Sequence, residues 1–403
     1  MRKRSFNLLN QIQRWINKTP IAWYQLTYRK VRFFTASLGV ASAIILMFIQ
    51  LGLLGALEES NTVLHKRLRG ELVMLNTQSE SLVLLKNFSR RYLYQALGFA
   101  EVDSISPMYF GQRSFKNLNL DQSILGSTRP ISIFGINPQR SPFDFPSIDV
   151  QLDKIQNPNV FLFDRQSRPE YGTLSDDFAA GIANVELEGQ RITIGGIVDF
   201  IGASFGITGN LVTSDVNFLE LFPEQNAERI ALGIITLKDK TETDRIAQLL
   251  ESRLPEDIMV LTIPQFVELD KYYWQKTTIV GFVFQMGATI GFLIGLYTVY
   301  QILYTEISDA IPDYAILKAS GYQNTFFWGL LFQEALILSC SSYIPGYLIS
   351  IFLYQLFNQG TNVALTMNSG RAFLVLILTF CMCLFSGFLV SKKLKESDPA
   401  DLF

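Results

Sequence analysis

Few side chains in this chain could do covalent or metal chemistry. His65 is the single histidine in 403 residues, and the three cysteines, Cys340, Cys381 and Cys383, all fall in apolar stretches. The long polar middle holds no cysteine, so no disulfide framework and no thiol zinc site is expected there. Cys381 and Cys383 are two positions apart, which on a helix sets them about 200° apart and on opposite faces. They read as small packing residues. His65 stands beside Lys66 and Arg67 and reads as a solvated residue. No G-x-x-x-x-G-K-[ST] sequence occurs, nor any Gly-Lys pair, so the chain has no Walker-type phosphate cradle. Gly195, Gly196, Gly202, Gly206 and Gly209 form a glycine-dense stretch. It reads either as a mobile partner-contact loop or as turns between strands. Glu334 is a carboxylate inside an apolar run, where it must face protein or water rather than lipid. It would serve as an ion relay or as a hydrogen-bonded structural group, and the other apolar cores offer no Asp, Lys, Arg or His for a relay.

The elements around these residues are set by hydropathy. Only 17% of residues are charged and 49% are hydrophobic, against roughly 25% charged in soluble domains. Four apolar runs, 33–57, 277–304, 326–357 and 372–391, are each long enough to cross a bilayer, which takes about 20 residues. The first is too long for a signal-peptide core and has a long polar segment before it. Residues 1–32 carry eight Lys/Arg and no acid; the tail 392–403 adds Lys392, Lys393 and Lys395, whereas 358–371 holds only Arg371. This asymmetry predicts cytoplasmic termini, an extracytoplasmic domain over 58–276, a cytoplasmic loop over 305–325 and a short outer loop over 358–371. Ile12, Trp15, Ile16, Trp23 and Leu26 among the basic residues suit an N-terminal helix lying at the membrane surface.

The outer segment is large enough for its own core and has a net charge of −8. Its patterning predicts strands at Glu71–Asn76, Arg129–Ile136, Val160–Phe163, Arg229–Leu237 and Ile258–Thr262. A hairpin is expected over Val185–Ile194 with its turn at Gly189-Gln190, and helices over Lys86–Leu97 and after Thr241, with Thr241 and Asp244 as a capping box. Two β-α-β stretches suggest two small α+β lobes. Glu58–Arg69 and Pro264–Lys276 read as continuous rigid stalks running out of the first span and into the second.

The cytoplasmic loop alternates Ile307, Ile311, Tyr314, Ile316 and Leu317 with Glu306, Asp309, Asp313 and Lys318, then stops at Ala319-Ser320-Gly321-Tyr322. This is a short amphipathic helix suited to docking on a partner, or a simple connecting turn. Ile311, Tyr314, Ile316 and Leu317 would anchor it, Asp309 and Asp313 would rim it, and Gly321 would end it.

The layout of one span, a large outer domain and three spans resembles the MacB/FtsX class of ABC transporter permeases. Leu317, Ala319 and Gly321 match the E-I-x-x-L-x-A-x-G coupling motif of that class, whose Glu-Ile pair is not kept here. Glu334 matches an acidic residue early in the third span, and Gly346 a glycine further along it. Several segments resemble the DevC family, permeases of cyanobacterial exporters. These are Pro20–Leu26, Ile45–Gly52, the outer-domain stretch Phe161-Leu-Phe-Asp-Arg-Gln-Ser-Arg-Pro-Glu-Tyr-Gly172, and Pro312–Tyr322. The resemblance implies no catalysis by this chain and no cofactor of its own, ATP-Mg being held by a separate DevA-like ABC ATPase. It further implies a DevB-like periplasmic membrane-fusion protein, a TolC-like outer-membrane channel, an inner-membrane location and export of an envelope glycolipid.

The expected architecture is therefore membrane α-helical, with four transmembrane helices and a large α+β extracytoplasmic domain of MacB/FtsX-like type. The expected function is that of a permease subunit passing ATPase motion to the outer domain. Four helices are too few for a wide lipid conduit, so a homodimer in membrane lipid is the natural unit. The alternative is an FtsX-type regulator of a periplasmic cell-wall hydrolase, against which the DevC-like segments count. A second rival is an outer-domain enzyme, for which the scarcity of His and Cys leaves paired carboxylates as the open chemistry.

Overall fold

A computed structural model describes residues 21–28, 30–119, 128–320, 324–361 and 365–396. Contacts divide the chain into two compact units. One comprises 1–53, 283–355 and 366–403; the other comprises 54–282 and 356–365.

The second unit is built on a nine-stranded mixed sheet. Its strands are β1 (Leu72–Asn76), β3 (Val102–Asn117), β4 (Arg129–Ile136), β5 (Val160–Asp164), β6 (Val185–Leu187), β7 (Gln190–Val198), β8 (Asn210–Ser214), β10 (Leu232–Leu237) and β11 (Ile258–Thr262), with β2 (Phe88–Ser89) and β9 (Arg229–Ile230) forming a separate pair. The order is β11-β1-β10-β3-β4-β8-β5-β7-β6, and β3 also pairs with β6. The 16-residue β3 makes this possible: its start pairs with β10, its middle with β4 and its end with β6. The ring β3-β4-β8-β5-β7-β6 thus closes on itself and loses its free edges. β3 belongs to both halves, so the two expected lobes are in fact one sheet.

Both faces of this sheet are buried. Leu72 and Met74 point to one apolar cluster while Val73 and Leu75 point to the other, which is why β1 reads as an unbroken apolar run. The helix Thr243–Glu251 covers the first face through Ile246, Ala247 and Leu250. The second face is covered by Leu64 and Leu68 beyond the first span and by Phe266 ahead of the second.

Several local expectations change. The hairpin turn is Glu188-Gly189, with φ +47° and +83°, the two-residue geometry that favours glycine at its second position. The Lys86–Leu97 helix shrinks to Arg90–Gln95 plus a 3-10 turn at Ala96–Gly98, because Phe88–Ser89 pairs with Ile230 and Arg229 instead. The single strand Arg229–Leu237 is split where the Ala231 amide donates to Met108 O (3.0 Å). Thr241 and Asp244 form no capping box. Asp239 Oδ1 accepts the Thr241 amide at 2.8 Å, and the helix begins at Thr243. The capping box lies at Thr262 and Gln265, where each side chain bonds the other's backbone N–H.

The first unit holds most of the length of the membrane helices. Among the described residues four helices are long and apolar enough to cross a bilayer: Lys30–Asn61, Ile279–Pro312, Trp328–Gly360 and Ser369–Lys392. Each starts or ends several residues beyond the apolar run expected for it. Glycines let these helices approach closely, as small residues do in membranes. A Cβ on Gly346 would stand 2.9 Å from Ile44 Cγ2, and the Tyr354 hydroxyl donates to Phe48 O. Cys383 is buried and Cys381 exposed, the opposite-face placement their spacing requires.

Candidate functional site

Within the segment 305–325, residues 305–319 do not form a separate loop helix. The second membrane helix continues without a break from Ile279 to Ala319, through Pro312, so the residues picked as a docking element form its end. Burial grades along it: Ile307 is 1% exposed, Ile311 and Leu317 are half-buried, and Ile316 is 66% exposed. Asp309 Oδ2 lies 2.6 Å from Arg32 Nη1, a partner 277 positions away. Asp309 is therefore an ion-pair partner within the chain as well as a candidate rim residue. Asp313 and Tyr314 belong to the same helix, but their side chains lie outside what is described, and Gly321 lies outside the described residues. So do Ile12, Trp15 and Ile16; Trp23, at 48% exposure, packs edge-on against Phe33 with ring centroids 6.5 Å apart.

Glu334 is fully buried on the helix Asn324–Thr361, facing protein as its cost in lipid requires. The hydrogen bond expected for it is not found: neither carboxylate oxygen has a partner among the described residues.

The second cluster was invisible in the sequence. His65 is not solvated: it is 0% exposed, its Nε2 lies 2.8 Å from Asp270 Oδ2, and its ring lies 4.1 Å from that of Phe266. The physical reason is local. The first membrane helix ends at Asn61, the chain turns at Thr62, and the short helix Val63–Lys66 turns Leu64 and His65 inward. Asp270, 1% exposed, comes from the helix Ile263–Tyr272 and also accepts the Leu82 amide at 3.0 Å. Neither stalk is continuous. The incoming one passes from helix to a π-helical turn at Tyr273–Thr277 and then to an extended Thr278 (φ −85°, ψ 146°).

Beside this pair sits loop 199–209. The Gly206 amide donates to Asn61 Oδ1 at 3.4 Å. A Cβ on Gly206 would stand 2.5 Å from Trp274 Cζ2 and 3.1 Å from Val83 Cγ1. Gly206 thus serves close packing, while Gly202, at φ +72°, takes a turn conformation that favours glycine. The loop is held from behind by the stretch Phe161–Gly172. Asp164 is buried and accepts the amides of Gln166 (3.1 Å), Phe200 (3.2 Å) and Gly202 (2.8 Å) and Asn210 Nδ2 (2.9 Å). Ser167 Oγ accepts the Asn210 amide at 3.2 Å, Arg168 Nη2 donates to Ser204 O at 3.2 Å, and the Tyr171 hydroxyl donates to Pro130 O at 2.5 Å. Burial raises the Asp164 carboxyl above the ordinary aspartate value, while these donors pull it down. The outer-domain stretch that carries the resemblance is thus a structural anchor for one loop.

Residues 286–399 match the model of the FtsX-like permease C-terminal region, a little over a quarter of the chain. No curated protein matches it. Two solved structures show a likeness. One is the periplasmic region of MacB from Actinobacillus actinomycetemcomitans, with 12% identity and TM-score 0.33, over 50% of this chain and 92% of that one. The other is the extracellular domain of the noncanonic ABC-type transporter YknZ from Gram-positive bacteria, with 13% identity and TM-score 0.30, over 47% of this chain and 98% of that one. This chain therefore has four helices able to cross a membrane, a large mixed α/β domain between the first and second of them in sequence, and an FtsX-like permease C-terminal match across the last three.

Proposed function

We propose that the chain is the membrane subunit of an ABC-type export machine of the DevC kind. The observation that carries this reading is the permease match over residues 286–399, which includes a membrane helix continuing past its span to Ala319. In this reading the helix end, with Ile311, Tyr314, Ile316 and Leu317, docks on a separate ABC ATPase that holds ATP-Mg. Apolar anchors on a short helix are a common docking mode. Asp309 and Asp313 orient the contact and act more on association rate than on final affinity. Movement of the packed helices between two arrangements is passed to the outer domain, which works with a membrane-fusion protein and an outer-membrane channel on an envelope glycolipid. The working unit is a homodimer with cytoplasmic termini.

Purification of the tagged chain from its native membrane tests this. The expected result is co-purification with an ABC ATPase and a periplasmic adaptor, ATP turnover by the complex and none by the chain alone, and lipid cargo detected by mass spectrometry. Turnover by the isolated chain after contaminants are excluded would contradict the reading. Capture of a cell-wall hydrolase in place of the adaptor would favour the regulator.

A further inference from the structure

The strongest unassigned feature is the buried pair His65–Asp270, and its position in the chain gives it meaning. Both connections between membrane helix and outer domain are interrupted. The outgoing one turns at Thr62 (φ −106°, ψ 8°); the incoming one changes to a π-helical turn and then to the extended Thr278. A continuous helix transmits displacement through its own hydrogen bonds, and an interrupted one does so only where side chains bridge the break. His65 lies just past the first interruption, and Asp270 lies on the outer-domain side of the second.

We infer that His65 and Asp270 form a clamp that joins the two connecting segments to each other and to loop 199–209, so that the three move as one body. Asp270 Oδ2 meets His65 Nε2 at 2.8 Å and the Leu82 amide at 3.0 Å, tying segment 79–85 to the same carboxylate. Val83 of that segment lies against Gly206, whose other faces meet Trp274 of the incoming segment and Asn61 of the outgoing one. The far end of the loop is fixed to β5 through Asp164. A route of direct contacts thus runs from both connections to the sheet, with the close approach of the buried His65 and Asp270 side chains as the point where the two connections meet. Burial makes such a link sensitive: either partner alone would be a buried polar group without its counterpart. These are positioning residues. The inference rests on the export reading only for the source of the motion; the joining itself does not depend on it.

Hydrogen–deuterium exchange on the full chain in nanodiscs, without any ATPase, tests the clamp. Asp270→Asn is expected to speed exchange at residues 79–85 and also at 199–209, to which Asp270 makes no hydrogen bond among the described residues. Adding His65→Gln rebuilds a neutral pair of similar shape and is expected to slow both again. Faster exchange confined to 79–85 and 263–272 would overturn the clamp, as would a folded double variant in which 199–209 stays fast. Where Asp270→Asn unfolds the domain, the double variant decides alone: protection of 199–209 as in the unaltered chain supports the clamp, and its loss overturns it. In a second arm, Trp274 is left as the sole tryptophan and its emission is followed on adding ATP and orthovanadate to the co-purified ATPase complex. A response that Asp270→Asn abolishes places the clamp on the route of motion. No response in the unaltered chain would count against the ATPase-driven reading alone, the clamp having been decided by exchange.

Discussion

At the scale of single residues, Asp164 does more for this fold than its exposure-blind sequence context suggests. Each of its two carboxylate oxygens accepts two donors, Oδ1 from Gln166 and Phe200, Oδ2 from Gly202 and Asn210. An asparagine in either orientation would set its amide NH2 against two of those donors. Asp164→Asn should therefore destabilise the outer domain by about 1–3 kcal/mol, read as a lower midpoint in urea unfolding followed by Trp274 emission. An unchanged midpoint would show that the network is slack. The pH dependence has a definite sign. Burial raises the folded-state pKa of Asp164, so the native state binds the proton more readily than the unfolded one. The contribution of this group is fully present below the ordinary aspartate value and is lost as pH rises through the raised one. Asp164→Asn removes that part of the slope. His65 makes a different point: its neighbours Lys66 and Arg67 suggest solvent, yet only the turn at Thr62 decides which face is inward.

At the scale of elements, the helix Ile279–Ala319 is the one on which the functional reading depends. Its 41 residues include the span, Pro312 and the amphipathic end; in the proposed reading a push on the end would enter a single helix whose hydrogen-bond ladder lacks the N–H of Pro312. Replacing Tyr314 and Leu317 with Asp should leave membrane insertion intact, because both lie beyond the apolar span that closes at Pro312. Co-purification of the ATPase should be lost, or ATP turnover should continue without export. Full recruitment and export in that double variant would reduce the segment to a connector. Gly206 permits a complementary test on the outer domain. A side chain there would meet the Trp274 indole, so Gly206→Val should shift Trp274 emission to longer wavelength as the ring is displaced into water. An unshifted spectrum would place the indole elsewhere.

At the scale of the whole molecule, charge asymmetry predicts the orientation. Eleven Lys/Arg lie in the two terminal segments against the single Arg371 between the third and fourth spans, and positive loops stay inside. A reporter fused after Lys154 should be active only outside the cytoplasm, and one fused after Phe403 only inside. A cytoplasmic signal from the Lys154 fusion would reverse the assignment of the entire outer domain.

The sequence by itself determined the number and approximate place of the membrane helices, since about 20 apolar residues in a row have few other uses. It also determined most strand positions, whose alternating or continuous apolar runs are local signals. The capping signal T-x-x-Q at Thr262 is as plain in the sequence as T-x-x-D at Thr241, and only the first forms the box. Tertiary structure alone decided that β3 would serve both halves of one sheet, that Phe88 would leave a helical pattern to pair with Ile230, and that residues 305–319 would continue a helix. It alone brought His65 to Asp270 and Asp309 to Arg32. Each of these depends on contacts between residues far apart in the chain, and no local periodicity encodes which distant partner will fill a face, pair an edge or meet a charge.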